Sequence, residues 1–164
     1  MHTDLVTDQH AATLDEQATA TFSPCRTYRY ALTRRWHPDR PLTVFVMCNP
    51  STADAFRVDP TVARCIARAR TWGTGGLLVL NLFALRSTDP KALYGHPDPV
   101  GPDNDRVIAE HFTLAADPLG LVVAAWGTHG ALHDRSRHVD ALLRARGVRP
   151  LCLGVTRAGF PRHP

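Results

Sequence analysis

The chain has 164 residues, 44% of them hydrophobic and 21% charged, which fits one globular domain with a single core. No apolar run approaches the roughly 18 residues of a membrane span and the polar start shows no secretory signal, so we expect a cytoplasmic monomer without membrane attachment. The formal net charge is +4 and the basic residues are almost all arginines, which favours a nucleic acid or nucleotide partner, although a compositional bias of the genome would give the same excess.

The first part of the chain carries little periodic apolar pattern. Residues 1–22 therefore predict a flexible N-terminal tail, followed by a single α/β domain over residues 23–164. The segment 26–36 alternates aromatic with basic side chains, and this pattern predicts an edge strand.

Four short apolar runs follow, and runs of this kind are typical of strands buried on both faces. Helical patterns separate them: the clearest begins at Pro60 with Asp59 as its N-cap, the second follows Gly101, and the third begins at about Leu132. This alternation predicts a three-layer αβα sandwich with a mainly parallel, four-stranded core sheet. The predicted buried strands are 42–48, 77–80, 121–125 and 151–153.

Ligands of such sheets bind beyond the carboxyl ends of the strands. Asn49 and Asn81 directly follow two buried strands, where an amide can hold a water, read a base edge or simply cap a turn. His163 could donate a hydrogen bond to a developing anion or lie outside any site, and His129 could contact a ligand or cap a helix. The polar residues expected at this edge are Asn49, Ser51, Asn81, Thr128, His129, Arg157 and His163.

Several common kinds of site are disfavoured. The four cysteines form no C-x-x-C pair, and Cys48, Cys65 and Cys152 lie within apolar patterns, so we expect buried free thiols and no metal or cofactor. The glycines form neither a G-x-G-x-x-G after a strand nor a P-loop, and Ser51 lacks the G-x-S-x-G of serine hydrolases.

The remaining motifs resemble a known family. The set includes 47–53 (MCNPSTA), 59–61 (DPT), 81–84 (NLFA), 125–127 (AWG) and 162–164 (RHP). It resembles a microbial family catalogued as domain-of-unknown-function family 1643, over residues 26–164. That resemblance implies no established activity.

The order of these motifs is also distantly similar to that of the uracil-DNA glycosylase superfamily. Asn49-Pro50 resembles the motif that positions the attacking water, and Asn81 occupies the place of the Asn that reads the base. Trp126-Gly127 resembles the end of a further core strand, and His163-Pro164 resembles the motif whose His steadies the leaving base. The apolar wedge that follows His-Pro in that superfamily lies beyond this sequence, and we expect related sequences to continue there.

This similarity implies a mechanism and a base pocket. A flipped or unpaired nucleotide would enter the pocket, Asn49 would orient the water, and His163 would stabilise the departing base. Asn81 would read the base edge, with Phe83 or Trp126 stacking on the ring. The implied substrate-binding residues are Pro50, Ser51, Asn81, Phe83, Trp126, Gly127, Thr128 and His129.

Three functions remain open at this point. The first is hydrolysis of an N-glycosidic bond in nucleic acid or in a nucleotide derivative, with a role such as DNA repair. The second is a non-catalytic module that binds nucleotides or nucleic acid, and the third is another enzyme of modified-nucleotide metabolism. All three use the same pocket, so the motifs alone do not separate them.

Overall fold

The computed structural model describes residues 4–13, 16–113 and 119–164. Within these residues one mixed sheet of seven strands forms the centre of the molecule, in the order β1-β2-β3-β5-β4-β6-β7. The strands are β1 (Val6–Thr13), β2 (Glu16–Phe22), β3 (Arg29–Arg35), β4 (Leu42–Met47), β5 (Gly76–Asn81), β6 (Leu119–Ala124) and β7 (Leu151–Cys152).

The sheet has two halves. Strands β5, β4, β6 and β7 pair in parallel, and they are the four strands that the apolar runs predict. Strands β1, β2 and β3 pair antiparallel, and β3 joins the halves through antiparallel pairing with β5, where Leu32 lies opposite Val79. The parallel core was therefore predicted correctly, whereas the prediction of four strands was wrong because the sheet has seven.

The antiparallel half corrects the interpretation of the N-terminus. Residues 6–13 and 16–22, assigned from the sequence to a flexible tail, form the hairpin β1–β2. In β2 the inward positions are Ala18, Ala20 and Phe22, and the two alanines give a weak apolar signal although both are buried. Because this hairpin covers it, β3 is an interior strand and not the predicted edge strand.

Helices connect the parallel strands. Pro60–Thr71 begins as predicted, with the Asp59 side chain accepting a hydrogen bond from the Val62 amide at 2.8 Å. The last helix starts later than predicted, after a 3₁₀ segment at Thr128–Asp134, because His133 has a positive φ of 51° that an α-helix does not allow. The helices are α1 (Pro60–Thr71), α2 (Ala92–Gly95), α3 (Asn104–Thr113) and α4 (Arg135–Arg144).

The core lies on both faces of the sheet and gives three layers. Helix α1 buries Val62 and Cys65 against one face, where β4 contributes Phe45. Helices α3 and α4 cover the other face, where Val46 of β4 packs in the second core cluster. Every residue of β4 is buried, as expected for the central strand of the parallel half. The loop that follows β4 therefore leaves the sheet from a fixed position.

The four cysteines differ in their exposure. All four cysteines are free; Cys48 and Cys65 are buried, whereas Cys25 and Cys152 are exposed. The predicted burial of Cys152 was wrong, because β7 is a two-residue strand at the edge of the sheet. No helix in the described ranges is long and apolar enough to cross a membrane.

Candidate functional site

A polar cleft lies at the carboxyl end of β4, next to the first turn of α1. Strand β5 follows β4 on one side of it and β6 lies on the other, and this reversal of strand order is where open α/β sheets bind ligands. The cleft has a volume of about 210 Å³. It is lined by Arg29, Met47, Asn49, Ser51, Asp59, Thr61, Val62, Ser87, Thr88, Pro90 and His163.

Asn49 lines this cleft, and its amide is held in a fixed orientation. Its Nδ2 donates hydrogen bonds to the backbone oxygens of Pro50, at 3.1 Å, and Ser87, at 2.9 Å. Both partners can only accept, so the amide nitrogen is assigned without ambiguity and Oδ1 points away from them. Among the described residues nothing donates to this oxygen, which leaves it as an acceptor for a water or a ligand.

His163 reaches the same cleft from the C-terminal segment. The Gly127 amide donates to the backbone oxygen of Pro161 at 2.9 Å, and the Arg162 amide donates to that of Gly154 at 2.9 Å. Gly127 has a φ of 69°, a conformation that favours glycine, and a Cβ there would lie 3.9 Å from the Cβ of His163. The turn after β6 thus anchors the segment that carries His163.

The surroundings of His163 favour its neutral form. The residue remains exposed, but the atoms packed around its ring lower its pKa below the ordinary value, and the charge of Arg64 acts in the same direction. A hydrogen bond with the backbone of Pro164 opposes this and raises the pKa, as does the charge of Asp59 by a smaller amount. The ring is therefore mainly neutral at neutral pH, when one nitrogen donates a hydrogen bond and the other accepts one.

Arg29 is a cleft residue that the sequence analysis missed. It is 1% exposed, its Nη1 donates to the backbone oxygen of Ala53, and its Nε has no hydrogen-bond partner. Burial lowers its pKa to about 10, so the group stays charged at neutral pH. Among the described residues it makes no ion pair, although the charge of Asp59 favours its protonated form. Burying a cation without a carboxylate partner costs free energy of folding.

Asp59 is the second missed residue. The sequence analysis assigned it correctly as the N-cap of α1, and one carboxylate oxygen has that role. The same side chain lines the cleft, together with Asn49 and Ser51. The N-cap motif gives no sign that Asp59 also lines a cleft. That could have been inferred only from the position of the start of α1 beside the carboxyl end of β4.

Asn81, expected to read a base, lies beside the cleft and not in its wall. It pairs with Met47 across β4 and β5 and is 1% exposed. Both polar atoms of its amide are buried without a hydrogen-bond partner, whereas its backbone oxygen accepts a bond from Asn104 at 3.0 Å. Leaving a buried amide without hydrogen-bond partners costs about 1–3 kcal/mol.

The other predicted substrate-binding residues are not in the cleft wall. Phe83 and Trp126 are buried in the core cluster under α3 and α4, so neither ring is exposed for stacking. Thr128 is exposed in the 3₁₀ segment, and the His129 Nδ1 is 3.0 Å from the hydroxyl of Tyr94. The structure thus brings together Asn49, Ser51 and His163, with Pro50 and Gly127 in the supporting backbone, and leaves the other five outside the cleft wall: Asn81, Phe83, Trp126, Thr128 and His129.

The donor set of the cleft is not typical of a metal site. Within the described ranges no group of three or more His, Cys, Asp or Glu side chains is arranged to hold a metal ion. The cleft combines amide, hydroxyl, carboxylate, imidazole and guanidinium groups, a set suited to a polar organic ligand with an anionic part.

Comparison with known proteins gives one match. No curated protein and no solved structure matches the chain. A family model does match residues 29–164, a range that includes every residue lining the cleft, from Arg29 to His163. The chain therefore belongs to the family described as "Protein of unknown function (DUF1643)".

Proposed function

We propose that the cleft binds a nucleobase-bearing ligand, either nucleic acid or a nucleotide derivative, and hydrolyses its N-glycosidic bond. The observation that supports this most directly is the meeting of Asn49 and His163 in one cleft, from opposite ends of the domain. These are the two residues to which the glycosylase similarity gives the water-positioning and leaving-group roles.

The water would be held and activated by two groups. Asn49 Oδ1 accepts a hydrogen bond from the water and orients it, but an amide cannot take its proton. The Asp59 carboxylate in the same wall supplies that function. The water oxygen forms a bond to the sugar carbon, the C–N bond breaks with its electron pair going to the base, and the water proton goes to Asp59.

The departing base would be stabilised by His163. In its neutral form the ring donates one N–H to the negative charge that develops on the base as the C–N bond breaks. One donor of this kind is typically worth about 3 kcal/mol in the transition state. The proton held by Asp59 then passes to the base or to solvent, so the cycle needs no cofactor.

The size of the cleft limits what enters it. Its volume of about 210 Å³ is below the roughly 300–1,000 Å³ of pockets that enclose drug-sized ligands. This suits a single base or its glycosidic bond, with the rest of the ligand outside. Asn81 supports base reading only through its unpaired amide beside Met47, so its role is the least supported part of the proposal.

The test is a cleavage assay on a panel of substrates. Single- and double-stranded oligonucleotides carrying uracil, hypoxanthine, xanthine or alkylated bases are incubated with the protein, and abasic sites are scored by alkaline cleavage. The corresponding nucleosides and nucleotides are assayed for release of the free base. We expect cleavage of at least one substrate, lost in Asn49→Ala and retained in Gln17→Ala, whose exposed amide lies outside the cleft.

A second candidate function is binding without catalysis. It is favoured by the amide at position 49, because a carboxylate there would be the stronger base. Binding of a nucleotide by the wild-type protein with no cleavage of any substrate in the panel would establish this alternative. Cleavage that persists in Asn49→Ala would contradict the assigned mechanism.

A further inference from the structure

A second depression adjoins the cleft. It is a shallow, open groove of about 390 Å³. Three of its residues, Ser51, Ser87 and Thr88, also line the cleft, so the two depressions share one wall of hydroxyl side chains. The groove is lined by Arg26, Thr27, Ser51, Thr52, Arg86, Ser87 and Thr88.

The two arginines of the groove differ in their partners. Arg26 forms a bidentate ion pair with Asp8, with nitrogen–oxygen distances of 2.6 and 2.8 Å. Arg86 has no carboxylate partner among the described residues: its Nη1 donates to the backbone oxygen of Arg26 at 3.2 Å, and its Nε is buried without a partner. Asp8 therefore pairs directly with Arg26, whereas Arg86 forms no ion pair and acts on Asp8 only through its charge, which lowers the Asp8 pKa.

The position of Arg86 is fixed by its neighbours. Its guanidinium carbon lies 5.1 Å from the centre of the Phe22 ring, and that of Arg26 lies 4.9 Å from the same ring. Its backbone amide donates to the oxygen of Thr27 at 3.1 Å. A planar cation held in this way is already oriented for a ligand, so little side-chain entropy is lost on binding.

Arg29 lies on the cleft side of the same hydroxyl wall. It too has no ion-pair partner within the described part of the chain, and Arg86 is among the charges that lower its pKa. Two cations without ion-pair partners thus line the two depressions that share Ser51 and Thr88, whose hydroxyls make no hydrogen bond to any described residue. An anion at this wall would meet positive charge from both sides and hydroxyl donors from the wall itself.

We propose that this groove holds a phosphate group of the ligand whose base enters the cleft, with Arg86 as its main cationic contact. The inference rests on the proposed function and names the part of the substrate that the cleft is too small to hold. A phosphate matches the groove because its several oxygens accept hydrogen bonds from an arginine fork and from hydroxyls in different directions.

The first test uses ligand pairs that differ only in phosphate. Affinities of Asn49→Ala protein are measured by calorimetry for uridine, inosine and xanthosine and for their 3′- and 5′-monophosphates. For at least one base we expect a monophosphate to bind about tenfold more tightly than its nucleoside. Equal affinities within every pair, or no binding of any monophosphate, would overturn the proposal.

A further ligand shows whether the phosphate belongs to a nucleic-acid backbone or to a free nucleotide. A single-stranded oligonucleotide of about 15 nucleotides carrying the preferred base is compared with the monophosphate. Tighter binding of the oligonucleotide, with affinity that falls as salt rises, assigns the site to a nucleic-acid backbone. Equal or weaker binding assigns it to a free nucleotide, and either result supports a phosphate site.

The second test removes the charge. Arg86→Gln is expected to lower the affinity for the monophosphate about tenfold and to leave that for the nucleoside unchanged. Arg86→Lys keeps the charge and should retain most of the affinity, and Arg137→Gln, which makes the same charge change on the far helix α4, should have no effect. An Arg86→Gln protein that binds both ligands as the wild type does would contradict the proposal.

The outcomes separate this inference from the proposed function. A phosphate preference that depends on Arg86, without cleavage of any substrate, would retain the phosphate site and reject the hydrolase. Cleavage that depends on Asn49 but occurs equally on nucleosides and nucleotides, in the wild type and in Arg86→Gln, would retain the hydrolase and reject the phosphate site.

Discussion

The two halves of the sheet contribute to the cleft in different ways. The parallel half presents side chains directly, because the loop after β4 carries Asn49. The antiparallel half holds the backbone of that loop: Arg34, which is 3% exposed, donates to three carbonyl oxygens of segment 53–57 at 2.7–3.2 Å. Arg29 of the same strand both donates to this segment and lines the cleft. The parallel half therefore contributes cleft side chains such as that of Asn49. The antiparallel half mainly holds the backbone of the loop that carries it.

The largest expected effect separates chemistry from structure at Asp59. Asp59→Asn keeps an N-cap of equal quality and removes the carboxylate, so the rate of base release should fall by about a hundredfold or more with little change in the free energy of unfolding. Rates and urea unfolding are measured on the same preparations. As a control, Asp59→Ala should in addition lose about 1 kcal/mol of stability. An Asp59→Asn enzyme with the wild-type rate would exclude this residue as the base.

In the antiparallel half, by contrast, we expect a substitution to lower the free energy of unfolding. Arg34→Met keeps most of the side-chain volume but leaves the carbonyls of segment 53–57 without donors, and should lower the free energy of unfolding by about 3 kcal/mol. Urea denaturation measures this. Arg137→Met on the exposed side of α4 is the matched control and should change stability by less than about 0.5 kcal/mol. A small effect at Arg34 would mean that the loop is held by other contacts.

His163 provides a comparison within the parallel half. Its side chain is exposed and its hydrogen bond goes to the backbone of the neighbouring Pro164, so His163→Ala should leave the unfolding midpoint nearly unchanged. If it stabilises the leaving base, the rate should fall about a hundredfold. Steady-state kinetics on the preferred substrate test this, and an unchanged rate would remove the residue from the mechanism.

The smallest effect concerns the charge environment of the same ring. Arg64 lowers the pKa of His163 and Asp59 raises it, so Arg64→Gln should move that pKa upward and Asp59→Asn should move it further down. The ring is then protonated only as the pH falls below its ordinary range. A titration of the imidazole signals by NMR measures these shifts, and opposite signs would show that the ring does not lie between these two charges.

Much of the parallel half could be predicted because its strands are continuous apolar runs and its first helix carries the Asp-Pro start signal. The hairpin β1–β2 could not be predicted. Alanine and threonine alternate in β2, and such small side chains give little hydrophobic signal. Only the contacts with β3 show that Ala18 and Ala20 are buried.

The site was predictable to a similar extent. Asn49, Ser51 and His163 follow from strand ends and from motif order, and they do meet in the cleft. Arg29 was missed because an arginine in an alternating strand looks like a solvent-facing residue, and its burial depends on the hairpin that the sequence did not reveal. Phe83 and Trp126 were assigned to the pocket through the resemblance to glycosylases, and motif order does not determine toward which face a ring turns.

The pairing of β3 with β5 has a consequence for the whole molecule. Arg34 lies opposite Leu77, and at Gly76 a Cβ would come within 2.5 Å of the Arg34 backbone oxygen and of a Leu42 methyl group, so the strands approach closely at this point. A shift of β3 by one residue would turn Arg34 to the opposite face of the sheet. Strand register, set at a distance from the cleft, thus decides whether the loop that carries Asn49 has its anchor.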